Sequence, residues 1–138
     1  MPQYFQNTIA IQTRMDYINS FPCFALLTSS QAEELSLMMQ EIVFSKNEII
    51  TRENELIDSV YIIVNGQAEV TRETKRKRKL IQVPIAILDE GEAIGLNDTG
   101  FYSSSGKRTA TVTAISDMLL LQLDIKNLYL FLQKNNLE

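Results

Sequence analysis

Histidine and tryptophan are absent from this chain of 138 residues, and cysteine occurs once, at Cys23. Each absence excludes something. A chain without histidine lacks the commonest general base near neutral pH and the commonest metal ligand. A lone cysteine closes no disulfide and builds no thiolate metal site. Its sparing use points to a reducing compartment, with the cytoplasm as the expected location. Cys23, which follows Pro22, is expected to be a buried thiol. No apolar run approaches the ~18 residues of a membrane span. The opening MPQYFQNTIA lacks the basic-then-apolar layout of a secretory signal. GxSxG, Walker and GxGxxG motifs are missing, and the oxygen ligands of NDTGF are too few for a calcium loop. The composition points away from an enzyme, and no metal and no cofactor are expected.

What is present is an ordinary apolar content of 45% at a length that suits one core. A single domain over residues 1–138 is the expected organisation, with helices over 1–42, a β-roll over 43–123 and a helix over 124–136. Charge is uneven. RETKRKRK, residues 72–79, holds six of the 13 basic residues and one of the 17 acidic ones, which leaves the remainder at −9. So acidic a body makes nucleic acid an unfavourable partner. Arg72, Lys75, Arg76, Lys77, Arg78 and Lys79 are expected at a solvated hairpin tip. As a candidate partner surface they suit anionic lipid, an acidic protein or weak nucleic-acid contact.

Periodicity assigns the elements. Ile9, Ile11, Met15 and Ile18 space a short amphipathic helix over 9–19, which SFPCF ends because Pro22 disfavours helix at Phe21. Ser30 with Glu33 reads as a capping box, and Leu35, Met38, Met39 and Ile42 follow at helical spacing, giving a helix over about 31–40. Met38 and Met39 are expected in the core. From Val43 to Leu123 the texture is β: EIVF, EIIT, SVYIIV, QAEVTRE, KLIQVPIAIL, RTATVTAI and MLLLQL, punctuated by turn residues. Asn47 and Asn54 stand where a reversal needs a left-handed residue. Asn65-Gly66 is a type I′ hairpin signal between VYIIV and QAEV. Seven or eight short strands at this spacing predict a barrel or sandwich. LDIKNLYLFLQKNN closes the chain as a helix with Asp124 as N-cap and Leu128, Phe131 and Leu132 as its apolar stripe.

GKRTATVTA, residues 106–114, opens a strand with Lys107-Arg108 directly after a Gly- and Ser-rich run. FPCFALLTSSQAEEL, KNEIITRENELIDSVYIIVNGQAEV, LDEGEAIGLN and KRTATVTAISDMLLLQL occur in an order and spacing that resemble the cyclic nucleotide-binding domain family, over about residues 18–136. The resemblance implies N-terminal helices, an eight-stranded jelly-roll-like β-roll and a C-terminal helix. It also implies a phosphate-binding cassette, in which a short helix begins near a Phe-Gly-Glu motif and an arginine closes on the cyclic phosphate. By position Gly95 matches the family glycine and Arg108 the arginine. Thr109 matches a residue that contacts phosphate or a guanine amino group, and Ala110 one packed beside the phosphate.

Two departures accompany the resemblance. Leu96 stands where the family has the acid that accepts the ribose 2′-hydroxyl. Asn97, one residue along, is the nearest polar substitute. The loop LNDTGFYSSSGK is also longer than usual, which raises its ordering cost on binding. The expected function is a weak, non-catalytic cAMP- or cGMP-binding sensor with Gly95, Leu96, Asn97, Arg108, Thr109 and Ala110 at the ligand. The alternative is a degenerate β-roll that serves interaction or structure without nucleotide. In the sensor reading a carboxylate at 96 strengthens binding.

Overall fold

A local capping signal starts the second of the two N-terminal helices, and long-range pairing ends it. The computed structural model describes residues 3–5, 8–97, 100–101 and 106–137. A short strand β1 (Gln3–Phe5) precedes helix α1 (Ile11–Asn19), a 3-10 turn (Pro22–Phe24) and helix α2 (Ser29–Leu37). The capping box of α2 is Thr28 with Gln31, rather than Ser30 with Glu33. The Gln31 N–H donates to Thr28 Oγ1 at 3.1 Å, and the Thr28 N–H donates to Gln31 Oε1 at 3.0 Å. The helix also stops at Leu37, short of the expected 40. Gln40 and Glu41 are taken into strand β2 (Gln40–Phe44) by pairing with the last strand of the chain.

The strands that follow are β3 (Ile49–Thr51), β4 (Ser59–Asn65), β5 (Ala68–Arg76), β6 (Lys79–Leu88), β7 (Ala93–Ile94), β8 (Leu96–Asn97), β9 (Gly100–Phe101), β10 (Thr111–Ala114) and β11 (Met118–Asp124). Helix α3 (Ile125–Lys134) ends the order, N-capped by Asp124, whose carboxylate accepts from the Lys126 N–H at 2.7 Å. Two sheets face each other, in the orders β1-β2-β11-β4-β7 and β3-β10-β5-β6, with β8-β9 a separate ladder. The result is mainly β, with three flanking helices.

Alternation along the strands divides the apolar residues between two cores. Val60 and Ile62 of β4, with Leu121 and Leu123 of β11, face the helices and pack with Ile18, Leu35, Leu128 and Phe131. Tyr61 and Ile63 of β4, with Leu120 of β11, face the second sheet and pack with Phe44, Val112 and Ala114. Burial on both faces is why SVYIIV reads as a continuous apolar run rather than an alternating one. Met39 is in the helix-side core and Met38 packs against it, whereas Cys23 is exposed rather than buried.

Asn65-Gly66 does not close a hairpin, because β4 and β5 belong to different sheets. It is the corner at which the chain crosses between them. Gly66 has φ +96°, and a Cβ there would lie 2.5 Å from the Asp117 carbonyl oxygen. The tight two-residue turn is Lys77-Arg78, both with positive φ (49° and 66°), the type I′ geometry. Neither residue favours that conformation, but the β5–β6 ladder on either side, from Ala68↔Leu88 to Arg76↔Lys79, leaves no other connection. Asn47 and Asn54 do take positive φ, at 78° and 73°.

A buried ion pair ties α1 to the sheet. Arg14, 2% exposed, donates from Nη2 to Glu41 Oε2 at 2.8 Å and from Nη1 to the Ser36 and Met39 carbonyls at 2.9 and 2.8 Å. Ser36 is in the last turn of α2 and Met39 just past its end, and the Ser36 carbonyl also accepts from the Met39 N–H at 3.3 Å. Glu41 also accepts from the Ile9 N–H at 2.7 Å and from the Thr8 hydroxyl. Burial alone would raise the Glu41 carboxyl. The bonds from Thr8, Ile9 and Arg14 outweigh it and hold the group below its ordinary 4.5. A depressed folded-state pKa contributes stability above the ordinary value and loses it as pH falls through the lower one. Stability is therefore expected to drop on acidification below 4.5, with Glu41→Gln showing a shallower drop than the parent in urea titrations across that range.

Candidate functional site

Arg108 is set in place by main-chain pairing. The Arg108 N–H donates to the Glu55 carbonyl at 2.7 Å, and the Asn54 N–H donates to the Arg108 carbonyl at 2.8 Å. Beside them Leu56 bridges to Lys107, and the Ile57 N–H donates to the Gly106 carbonyl at 2.8 Å. This zipper turns the Arg108 side chain inward, where it is 6% exposed. Nη2 donates to the Ser59 carbonyl at 2.7 Å and lies 3.5 Å from Asp58 Oδ1, whose side chain is largely in solvent. Nη1 has no partner. Burial, the leading influence, pulls the guanidinium pKa below its ordinary value, against the raising effects of Tyr61, Asp58 and Glu55.

Gly95 makes room for that side chain. It has φ +94°, and a Cβ would sit 3.0 Å from Arg108 Nη1 and 3.2 Å from Val60 Cγ1. Both the backbone conformation and the close approach call for glycine.

Gly95, Arg108, Thr109 and Ala110 line one cavity of about 230 Å³. Its walls are largely aliphatic, from Val70, Ile85, Leu88 and Val112 among others. Thr109 is exposed at its side and Ala110 is half-buried. Four of the six residues predicted at the ligand are thus brought together.

The other two are placed differently. Leu96 is not a lining residue. Its side chain is 3% exposed and belongs to the helix-side core with Ile18, Leu35 and Phe131. A carboxylate at 96 would enter that apolar cluster rather than the cavity. Asn97 stands in β8 opposite Gly100. The helix start expected after Gly95 is replaced by the β8–β9 ladder, Leu96↔Phe101 and Asn97↔Gly100. The cassette here offers ladder-paired backbone, not a helix N-terminus. Half of the long loop between Gly95 and Arg108, residues 98–99 and 102–105, lies outside the described residues. Among the described residues no group of three or more Cys, Asp or Glu could hold a metal ion, and no helix is long and apolar enough to cross a membrane.

Sequence reasoning missed Arg72. Its Nε donates to the Thr109 carbonyl at 3.1 Å, and it lines the cavity. The signal was the two-residue spacing from Val70, which puts both on the inner face of β5. The basic run had absorbed Arg72 into the hairpin tip. Asp58 lies in the matched KNEIITRENELIDSVYIIVNGQAEV run but was given no site role, and neither was Ser59.

Residues 41–135 match the cyclic nucleotide-binding domain family. The chain belongs to that family. Within it, a 62-residue stretch is 34% identical to human Rap guanine nucleotide exchange factor 6, covering 44% of this chain and 4% of that protein. The regulatory domain of Toxoplasma gondii PKA, solved with cAMP, superposes with a TM-score of 0.74 at 18% identity, over 88% of this chain and 44% of that one. The N-terminal domain of a Streptomyces coelicolor transcriptional regulator superposes with a TM-score of 0.70 at 25% identity, over 88% and 80%. The Toxoplasma likeness is one of fold. The chain spans a small fraction of the human relative and under half of the Toxoplasma chain.

Proposed function

We propose that this chain is a non-catalytic sensor module whose cavity binds a cyclic nucleotide, cAMP or cGMP, with the phosphate on Arg108. The observation that carries the reading is the buried Arg108 guanidinium, whose Nη1 has no partner among the described residues, at a largely aliphatic cavity that Arg72 and Lys107 also line. A buried donor left unmatched costs about 1–3 kcal/mol. An incoming phosphate oxygen recovers that cost and adds a charge-assisted bond. The base then lies along Val70, Ile85 and Leu88, with Thr109 at the rim.

Capture also has a route outward. The Asp58 carbonyl accepts from the Ile125 N–H at 3.0 Å, at the start of α3, while the neighbouring Ser59 carbonyl accepts from Arg108. Drawing Arg108 onto a phosphate loosens the Ser59 bond and disturbs the adjoining anchor of α3.

Binding is expected to be weak. Leu96 gives the ribose 2′-hydroxyl no acceptor, which costs about 1–3 kcal/mol, or roughly 5- to 150-fold in affinity. Calorimetric titration with cAMP and cGMP tests the reading. The expected Kd is micromolar or weaker, with the 2′-deoxy analogue bound within about threefold of its parent. A parent favoured more than about tenfold would mean another residue reads the ribose. No heat from either nucleotide at millimolar concentration leaves a β-roll that serves interaction alone.

A further inference from the structure

The basic run occupies a ribbon that the sensor reading does not use. β10 pairs with β5 only over Ala68–Thr71, whereas the β5–β6 ladder continues to Arg76↔Lys79. The last ties to the body are Arg72 Nε to the Thr109 carbonyl and the Glu73 N–H to Glu53 Oε1, at 3.1 and 2.8 Å. Residues 74–81 project beyond those ties as a two-stranded ribbon. At about 3.4 Å per residue the tip stands on the order of 10 Å clear of the body, which exceeds the Debye length of about 8 Å at physiological salt. The field of a body at −9 is screened at the tip.

Lys75, Arg76, Lys77, Arg78 and Lys79 crowd that tip. All five are exposed, and among the described residues none is in an ion pair. Leu80, opposite Lys75 in the ladder and so on its face, is 66% exposed. The charges do not guard the sheet edge, for the outer strand from Leu80 to Leu88 carries none.

We infer that this ribbon docks the chain on an anionic phospholipid surface, with Lys75 to Lys79 at the headgroups and Leu80 entering the apolar boundary. Five clustered cations on a projection suit a flat anionic surface, because the acidic body is held off from it. An apolar side chain at the tip contributes where hydrocarbon lies beneath the charge. Nucleic acid fits less well, since residues 66–97 contain no aromatic side chain on which a base stacks.

Flotation of the intact chain with vesicles of phosphatidylcholine and about one third phosphatidylserine tests this, beside vesicles of phosphatidylcholine alone. Binding is expected only with phosphatidylserine, weakening as salt rises from about 0.1 to 0.5 M. Lys77→Asn with Arg78→Gly keeps the turn, since Asn-Gly favours positive φ at both positions. It removes two cations, and vesicle affinity is expected to fall about thirtyfold. Leu80→Ser leaves every charge in place and is expected to weaken binding about tenfold. The inference fails if the intact chain ignores the anionic vesicles, if either variant binds as the parent does, or if duplex DNA or polyglutamate is bound as tightly in the same buffer.

Discussion

Arg108→Met is expected to lose nucleotide binding and keep the fold. Removing a buried, hydrogen-bonded charge from a phosphate contact costs about 2–5 kcal/mol, so calorimetry should show an affinity lower by about thirtyfold to several thousandfold. Stability should change little. The guanidinium is desolvated, its Nη1 is unmatched, and the carboxylate beside it is 3.5 Å away with a side chain 86% exposed. Methionine gives up the bond to the Ser59 carbonyl but relieves the desolvation, and its length fills the same space. Thermal unfolding within a few degrees of the parent, together with lost binding, is the expected pair of results. A variant that still binds would remove Arg108 from the site. One that unfolds would make it a structural residue.

Arg14→Met should do the reverse. Here the carboxylate is fully buried, and the guanidinium closes three bonds at 2.8–2.9 Å. Taking away one member leaves Glu41 charged in the interior and removes the side-chain donor from the Met39 carbonyl, at a cost of about 3–5 kcal/mol. That is a large share of the roughly 5–15 kcal/mol a domain has. Urea unfolding should show the loss directly. Arg14→Met with Glu41→Leu should restore much of it, because a buried pair replaced by apolar residues of similar volume is often neutral. A single variant as stable as the parent would contradict the assignment. Nucleotide affinity per folded molecule should be unaffected by either change. Among the described residues each buried arginine keeps one unmatched nitrogen, Nε of Arg14 and Nη1 of Arg108, but Arg14 closes on a buried carboxylate whereas the carboxylate beside Arg108 lies in solvent.

The elements were legible because their periods are clean. Ile18, Leu35 and Leu128 mark helix faces, and SVYIIV and MLLLQL mark strands. Arg108 and Gly95 came from resemblance, and the structure puts them in contact range. What escaped depends on which strands meet. Asn65-Gly66 carries a hairpin's residues but joins two sheets. Lys77-Arg78 carries none and makes the hairpin, since the turn obeys the ladder rather than the dipeptide. Leu96 occupies the position of a ligand-reading residue, yet an aliphatic side chain next to a core follows the core. Arg14 carries no signal of its own in the sequence. Only the arrival of Glu41, from an element far along the chain, reveals what it holds.

β4 and β11 are each clothed on both sides, by the helices on one and by the second sheet on the other. Neither layer can loosen without stripping one side of the same two strands. The helix side and the roll are therefore not separate compartments. The strands whose inner face packs with Val112 and Ala114 turn their other face to Leu128 and Phe131 of α3.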